Sequence, residues 1–392
     1  MQIWVGGIGV VSSIGIGVDE NVASLASRKN GIGKISLFNS VHKLPVSEVK
    51  ASNKELLELL RLDSRKTYSR TALLGMLAAK EALLDASIDT DKLRVGIVSA
   101  TTVGGMDLTP SFYSDFITDP QKGRLRDVVS HDCFDSTQKI ADYCGIKGFA
   151  TTISTACSSA ANAIMLGARL IKNGYLDCVI AGGTDALCKF TLNGFNSLMI
   201  LDSEPCRSFD ETRSGLNLGE GAGYIVLQRE DTLARDPYCK LAGYANANDA
   251  YHQTASSPDG DGAFLAMQGA LEMSGISQKG ISYINVHGTG TSNNDASEGA
   301  AMKRLFGNSV PPFSSTKPYT GHTLAAAGGV EAVYSIIAID RGILYPNLNF
   351  TTPIAGFDCT PILEYETDKE INAVMSNSFG FGGNNSTLIF SK

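Results

Sequence analysis

Residues 150–187, ATTISTACSSAANAIMLGARLIKNGYLDCVIAGGTDAL, contain the pattern that decides the fold. A β-rich run leads to Cys157, and from Ala160 onward small and apolar residues recur at the spacing of a helix. After a Gly-containing break, DCVIAGGTDAL has the composition of a second buried strand. A strand, a helix and another strand in this order are typical of an α/β protein.

The same alternation recurs on both sides of this stretch. Residues 69–86 have helical spacing and precede the strand-like RVGIVSA, and FLAMQGALEMSG precedes ISYINV in the same way. The opening QIWVGGIGVVSS predicts a buried strand, and AVMSNSFGFGGNNSTLIFSK predicts two strands joined by a Gly-rich turn. A polar segment divides two such sets, so we expect two α/β halves, residues 1–237 and 238–392, with one site at their interface.

Composition and charge exclude several classes of protein. The 392 residues are 43% hydrophobic and 19% charged, which is ample for a packed core. The net charge is −7 and Lys and Arg form no long run, so nucleic-acid binding is not expected. Neither a signal peptide nor a long apolar run is recognisable, so we expect a cytoplasmic protein without membrane insertion.

Two further patterns favour structural roles. The eight Cys contain no CxxC pair, so we interpret them as reduced thiols in a chain that needs no disulfides. The GGIGVVSS segment only loosely resembles a dinucleotide-binding motif, because Ser12 occupies the third Gly position. We therefore interpret these glycines as structural.

Cys157 is the strongest candidate for chemistry. It lies between a predicted strand and a predicted helix, where free N–H groups and the helix dipole favour a thiolate. The small neighbours Ala156, Ser158 and Ser159 allow a sharp turn and the close approach of a substrate. The alternative is that Cys157 is a small buried apolar residue, as most free cysteines are.

Two of the five histidines lie where a cysteine nucleophile could use them. His287 follows the apolar strand ISYINV, and His322 lies in KPYTGHTLAAAGG five positions after Lys317. Both sit in strand-to-loop settings, which favours function over a purely structural role. The remaining histidines, at positions 42, 131 and 252, are interpreted as structural.

Two Gly-rich segments complete the candidate set. SFDETRSGLNLGEGAG (208–223) alternates charge with glycine and is interpreted as a scaffold held by buried ionic contacts. NSFGFGGNNS (377–386) sets Phe379 and Phe381 among glycines, where backbone N–H groups can converge on an oxyanion and a ring can act as a gate. Simple aromatic packing is the alternative for this second segment.

TACSSA, HGTGT, KPYTGHTLAAAGG and NSFGFGGNN occur in that order, with residues 208–223 between the first two. This order resembles the elongating β-ketoacyl-acyl carrier protein synthases, the condensing enzymes of fatty acid and polyketide synthesis. The resemblance covers essentially the whole chain. It implies an α/β fold of the thiolase type, a five-layered α-β-α-β-α sandwich of two similar halves, normally a homodimer.

The resemblance also implies a role for each candidate. Cys157 matches the nucleophile that accepts an acyl chain from acyl carrier protein. His287 and His322 match the pair that binds the malonyl thioester carbonyl during decarboxylation. Lys317 matches the lysine that supports these histidines and pairs with an acidic residue.

We expect that acidic partner to be Glu298, with Asp295 nearby. Phe381 matches the gate whose N–H joins that of Cys157 in an oxyanion hole, and Phe379 matches its aromatic neighbour. The resemblance implies no cofactor and no metal.

A narrower resemblance is to a Bacteroidetes branch associated with aryl polyene or flexirubin-type pigments. Phe112, Tyr113 and Phe116 lie where the family has its acyl pocket, and they line that pocket or merely pack there. Asn384 departs from the commoner GFGGTN, so the hydrogen bonding of this loop is left open.

Because carrier protein is strongly acidic, a net-acidic enzyme needs a local basic surface to bind it. The candidates are Arg61, Arg65, Lys66, Lys122, Arg124, Arg126 and Arg207. Ordinary solvated charge is the alternative for each.

The sequence bears on three rival functions. A thiolase needs a second cysteine in its C-terminal Gly-rich loop, which this chain lacks. The type III condensing enzymes use a Cys, His, Asn arrangement, which the second histidine here argues against. A catalytically silent chain-length-factor subunit typically lacks the cysteine, although this chain as one half of a heterodimer stays an alternative.

Overall fold

The computed structural model describes residues 1–392. Its strands are β1 Trp4–Ser12, β2 Gly15–Ile16, β3 Ile32–Gly33, β4 Val46–Ser47, β5 Val95–Ala100, β6 Ala150–Ile153, β7 Cys178–Asp185, β8 Gly221–Gln228, β9 Cys239–Asn248, β10 Tyr283–Asn285, β11 Phe313–Ser314, β12 Ala373–Gly380 and β13 Asn384–Ser391. Its α-helices are α1 Val18–Ala26, α2 Asn53–Leu59, α3 Arg70–Asp85, α4 Thr109–Thr118, α5 Cys133–Cys144, α6 Ser159–Lys172, α7 Lys189–Ser197, α8 Asp261–Ser274, α9 Ser292–Phe306, α10 Lys317–Thr320 and α11 Ala327–Arg341. Short 3-10 turns occupy Leu125–Asp127, Glu230–Thr232, Gln278–Gly280, Leu324–Ala326 and Phe381–Gly383.

Ten of the strands repeat one design twice. In the first set, β5 pairs in parallel with β6 and β7, and β8 pairs antiparallel with β7 and β1. In the second set, β10 pairs in parallel with β11 and β12, and β13 pairs antiparallel with β12 and β9. The two sets join where β1 and β9 pair at their first residues. The predicted similarity of the two halves is therefore present in their strand order and direction.

Helices cover both faces of each five-stranded set. Helices α3 and α5 pack on the outer face of the first, and α8 and α9 pack outside the second. Between them lie α6 and α11, which contact strands of both sets. The largest buried apolar cluster draws residues from this middle layer and from both sheets. The predicted five-layered sandwich is confirmed.

The glycines of the first strand have the structural role that was predicted. A Cβ at Gly9 would lie 2.1 Å from the carbonyl oxygen of Ala78, and one at Gly7 would lie 2.3 Å from that of Ala82. Only glycine therefore lets α3 approach β1 this closely. The first turn of α3 is capped by the Ser69 hydroxyl, which accepts the N–H of Ala72.

The layers bring several chain segments to one place. The carboxyl ends of β6, β10 and β11 lead into the segments that contain Cys157, His287 and Lys317. The tight turn between β12 and β13 reaches the same region. No helix is long and apolar enough to cross a bilayer.

Candidate active site

Cys157 lies in a sharp turn between β6 and α6, and we call residues 155–159 the elbow. Ala156 has a φ of +52°, a left-handed conformation that costs a non-glycine residue energy. The Ser159 hydroxyl holds the turn, since it donates to the Ala156 carbonyl at 2.5 Å and accepts the Thr155 N–H at 2.8 Å. The predicted turn of small residues around Cys157 is therefore present. The Cys157 side chain itself is buried.

The structure brings both predicted histidines to this cysteine. His322 Nε2 lies 3.0 Å from Cys157 Sγ, and the His287 and His322 ring centroids are 5.4 Å apart. The His322 N–H donates to the Asn217 carbonyl and the His322 carbonyl accepts the Gly219 N–H, which holds the His322 segment against residues 208–223. Residues from both halves of the chain thus form one cluster.

Lys317 fixes the orientation of His287. Its ammonium donates to the His287 carbonyl at 2.5 Å and lies 3.3 Å from His287 Nδ1. Because an ammonium has no acceptor, Nδ1 accepts in this contact and the proton of the neutral ring is on Nε2. We assign His287 on this basis as an Nε2–H donor.

The expected pairing of Lys317 with Glu298 is wrong. The Lys317 ammonium instead donates to Glu331, and both side chains are almost fully buried. Glu331 lies on α11, a helix of the middle layer that contacts strands of both sets. Its position in the otherwise apolar run AGGVEAVYSIIAI is the signal that could have identified it.

Glu298 and Asp295 hold backbone rather than lysine. The Glu298 carboxylate accepts the N–H groups of His287 at 2.9 Å and Gly288 at 2.8 Å, and the Asn377 amide at 3.0 Å. Asp295 accepts the N–H of Phe209 at 2.7 Å. Glu298 therefore shapes the turn that carries His287, with both of its oxygens occupied, and Asp295 holds the same turn by accepting the Gly290 N–H at 3.2 Å.

The expectation of a thiolate at Cys157 is also wrong. Burial raises the pKa of Cys157 to about 12, although Lys317 and the N–H of Phe381 oppose this. Burial and the neighbouring Lys317 lower the pKa of His287 and of His322 well below 6.5. Burial thus favours the uncharged form of all three groups, a neutral thiol beside two neutral imidazoles.

Residues 380–383 form the gate turn, which lies against the elbow. The Phe381 N–H faces Cys157 Sγ, and the Phe381 ring stacks on Phe195 with centroids 5.9 Å apart. A Cβ at Gly380 would lie 3.2 Å from the Cys157 nitrogen, so a side chain there would crowd the nucleophile. Phe379 packs beside His287 with a centroid separation of 5.8 Å.

A cavity of about 300 Å³ opens onto these groups. Its lining includes the apolar side chains of Phe195, Ile200 and Leu216 and the largely polar segments 254–256 and 291–294. Cys157 and both histidines also line it, so a substrate with an apolar part and a polar part fits this cavity.

The scaffold role predicted for residues 208–223 is confirmed. Glu220 forms a buried ion pair with Arg70 at 2.6 Å. Asp210 accepts hydrogen bonds from Thr351 and Thr352, which tie this segment to the C-terminal half. The segment therefore fixes the backbone that His322 rests on.

Models of two protein-family domains match this chain. The N-terminal domain of the beta-ketoacyl synthases matches residues 1–232, and the C-terminal domain matches residues 238–351. The chain belongs to the beta-ketoacyl synthase family. A curated relative of this synthase is the 3-oxoacyl-[acyl-carrier-protein] synthase 2 of Staphylococcus aureus strain MRSA252, 32% identical over all of this chain and 98% of the relative.

Solved ketosynthase structures share the whole fold of this synthase. The ishigamide ketosynthase/chain length factor superposes with a TM-score of 0.94 at 27% identity, covering 100% of this chain and 99% of the other. A type II polyketide acyl-carrier protein in complex with its ketosynthase, AntDE:AntF, gives 0.89 at 26% identity with the same coverage.

Sequence reasoning missed a second buried acid of this synthase. Asp185, at the end of β7, accepts the hydroxyls of Thr101 and Thr102 and the N–H groups of Val103 and Ala325. It thereby joins the loop after β5 to the segment that follows His322. The DA pair that ends the apolar run CVIAGGT was the available signal.

The basic candidates of this synthase lie at the surface. Arg61, Lys66 and Arg126 are exposed, and Arg65 pairs with Asp63 at 2.8 Å. Arg124 pairs with Asp127 at 3.0 Å and Arg207 with Asp202 at 2.9 Å; Lys122 lies near Asp119. Their binding of a carrier protein stays a prediction.

The aromatic candidates lie on α4. Phe112 and Phe116 stack on each other with centroids 5.7 Å apart, and Tyr113 is exposed. None of the three lines the cavity at Cys157.

Proposed function

We propose that Cys157 of this synthase accepts an acyl group from acyl carrier protein and that the bound acyl group then condenses with malonyl-acyl carrier protein. The product is 3-oxoacyl-acyl carrier protein, as in fatty acid or polyene and polyketide synthesis. The observation that carries this proposal is the contact between Cys157 Sγ and His322 Nε2 beside a His287 that Lys317 orients. These three groups are what a decarboxylative Claisen condensation needs.

The first step is acyl transfer. Cys157 Sγ attacks the thioester carbonyl as it loses its proton, and the Nε2–H of His322, 3.0 Å away, donates to the sulfur as negative charge develops on it. The carbon–sulfur bond to the carrier breaks, and the carrier thiolate takes up the proton that Cys157 lost. The N–H groups of Cys157 and Phe381 stabilise the oxyanion that forms meanwhile.

The second step releases CO2. The bond between the malonyl carboxylate and its methylene carbon breaks, and the electron pair passes into a thioester enolate. Neutral His287 and His322 donate hydrogen bonds to the enolate oxygen. The lowered pKa values of both imidazoles support this role, because a neutral ring donates without transferring its proton.

The enolate carbon then attacks the acyl-Cys157 carbonyl. Collapse of this adduct breaks the bond to Sγ and releases the 3-oxoacyl product on the carrier. The thiolate that leaves takes up one proton from solvent, which its burial and raised pKa favour, and Cys157 is again a neutral thiol.

Acyl carrier protein is the proposed partner, in acyl-loaded and malonyl-loaded forms. The names of the Staphylococcus relative and of the AntDE:AntF complex support this assignment. The acid pairing of Arg124 and Arg207 leaves both guanidinium groups partly exposed and able to contact carrier carboxylates.

A homodimer is proposed as the assembly, and the cytoplasm as the location. A heterodimer with a diverged chain-length factor is the second candidate, which the similarity to the ishigamide ketosynthase/chain length factor favours. In that case this chain is the active subunit of the heterodimer, because it has Cys157.

The division of the chain into two halves after residue 237 is also a proposal. It is supported by the strands, since the first five-strand set ends at Gln228 and the second begins at Cys239.

Intact-protein mass spectrometry tests the function. The wild type, Cys157→Ala and the control Cys239→Ala are incubated with saturated and polyunsaturated acyl-carrier proteins and then with malonyl-carrier protein. Cys239 is an equally buried thiol outside the cavity.

We expect the wild type and Cys239→Ala to gain one acyl mass that is lost as the chain grows by two carbons. A Cys157→Ala variant that still elongates acyl chains contradicts the assigned nucleophile. No loading from any carrier favours the silent-subunit alternative. The preferred acyl group distinguishes lipid from pigment synthesis.

A further inference from the structure

Asn384, where the sequence departs from the commoner family motif, is the centre of a hydrogen-bonded cluster. Its Oδ1 accepts the Ser158 hydroxyl at 2.7 Å, the Asn162 amide at 3.0 Å and the Asn246 amide at 2.7 Å. These donors come from the elbow, from α6 and from β9. One side-chain oxygen thus joins three elements.

Asn384 connects the gate turn to the elbow because of its position in the chain. Asn384 directly follows the gate turn, and Ser158 directly follows Cys157. Apart from the Phe381 N–H that faces Cys157 Sγ, the hydrogen bonds of the gate turn lead away from the elbow: the Gly382 N–H donates to the Gln253 carbonyl, and the Gly382 carbonyl accepts from the Asn248 amide. The Asn384–Ser158 bond is therefore the side-chain contact that ties the gate turn to the nucleophile.

The two backbone donors of the proposed oxyanion hole lie on opposite sides of this contact. One is the Cys157 N–H, next to Ser158, and the other is the Phe381 N–H in the gate turn. Such donors act only when both lie within about 2.7–3.1 Å of the developing oxyanion. The elbow is strained at Ala156, so its position depends on contacts of this kind.

We propose that Asn384 is a positioning residue for acyl transfer, which sets the separation of the Cys157 and Phe381 N–H groups. This inference rests on the proposed function. Decarboxylation of malonyl-carrier protein at His287 and His322 does not use these two donors. Loss of the Asn384 oxygen therefore slows the acylation of Cys157 and leaves decarboxylation unchanged.

Asn384→Leu removes the oxygen without leaving its donors unpaired. In the variant the single Ser158 hydroxyl proton turns to the Thr155 carbonyl, which lies equally close at 2.7 Å, and the Asn162 amide still donates to the Thr155 hydroxyl at 2.8 Å. The Asn246 amide keeps the Ser386 hydroxyl at 2.8 Å. Asn384 is itself only partly buried, so we expect the variant to fold.

The experiment compares the wild type, Asn384→Leu, Asn384→Thr and the control Asn246→Leu. Acylation of Cys157 by acyl-carrier protein is followed by rapid quench and mass spectrometry, and decarboxylation of malonyl-carrier protein by CO2 release. We expect Asn384→Leu to acylate about 10- to 100-fold more slowly, as for a catalytic group misplaced by a fraction of an ångström to 1 Å.

Asn384→Thr supplies a hydroxyl acceptor and recovers most of the rate. Asn246→Leu removes another donor of the cluster but keeps the Asn384–Ser158 bond, so it acylates close to the wild-type rate. Decarboxylation by all three variants stays at the wild-type rate.

Three results overturn the inference. If Asn384→Leu is acylated at the wild-type rate, this inference is overturned and the proposed function stands. Equal losses of acylation and decarboxylation with a lower Tm show that Asn384 is only structural. A wild-type protein that loads no acyl group removes the proposed function and this inference together.

Discussion

Replacing Glu331 by Gln is expected to destabilise the fold more than removing its ion pair altogether. In Glu331→Gln the Lys317 ammonium loses its charged partner while both side chains stay almost fully buried. An uncompensated buried charge of this kind costs about 3–5 kcal/mol. Burial raises the pKa of Glu331 to about 7, so we expect the free energy of unfolding to fall by about that amount at pH 8, where the carboxylate is ionised.

The double variant Lys317→Met/Glu331→Leu provides the internal comparison. Apolar replacement of a whole buried pair is often neutral. Here the His287 carbonyl also loses its donor, a bond of 2.5 Å, and an unpaired buried acceptor costs about 1–3 kcal/mol. The double variant is thus expected to be about 1–3 kcal/mol less stable than the wild type, and more stable than Glu331→Gln.

Equilibrium urea unfolding of the wild type, Glu331→Gln, Lys317→Met, Glu331→Leu and the double variant measures this coupling. Asp135→Asn is the control, because its pair with Lys139 is partly exposed and such pairs contribute about 0–1 kcal/mol. A loss below about 1 kcal/mol in Glu331→Gln refutes the reasoning. The reasoning is also refuted if the effect of Lys317→Met on the free energy of unfolding depends on Glu298→Gln and not on substitution of Glu331.

Three other outcomes are expected. His287→Ala slows malonyl decarboxylation about 10²- to 10³-fold, the loss for one oxyanion donor, whereas His131→Ala at an exposed site has no effect; CO2 release measures both. Decarboxylation by Cys157→Ala is constant as pH falls through 6.5 and declines only well below it, because the pKa values of His287 and His322 are lowered; a decline centred at 6.5 contradicts this. Burial raises the pKa of Glu298 from 4.5 to about 7, so its protonated carboxyl stabilises the fold at low pH and this contribution is lost as pH rises from 4.5 to about 7. Urea unfolding across this range is expected to show that the wild type loses stability relative to Glu298→Gln, and an equal pH dependence of the unfolding free energy in both proteins contradicts this.

The local patterns were sufficient to predict the elements and the order of the site. Helical spacing after Cys157 and β-branched runs before it are properties of neighbouring residues, and the structure has β6, the elbow and α6 there. The resemblance added which distant segments meet. His287, Lys317 and His322 are brought together in the structure as this implied.

The pairing of charges was not predictable in the same way. Glu298 lies nearer to His287 in sequence than Glu331 does, yet its oxygens are occupied by backbone N–H groups. Which acid reaches Lys317 depends on how α11 packs against the second sheet, and local sequence does not contain that information. The prediction of a thiolate at Cys157 was wrong for a related reason. The position of a helix N-terminus is visible in the local sequence, whereas the depth to which a side chain is buried is not.

The middle helix layer has a consequence for how the molecule unfolds. Because α6 and α11 pack on both sheets, each half covers the inner face of the other. Separating the halves would expose one large apolar surface on each. The fold is therefore expected to melt as a single cooperative unit despite its internal repeat, and a fragment that contains only one half is expected to aggregate rather than fold.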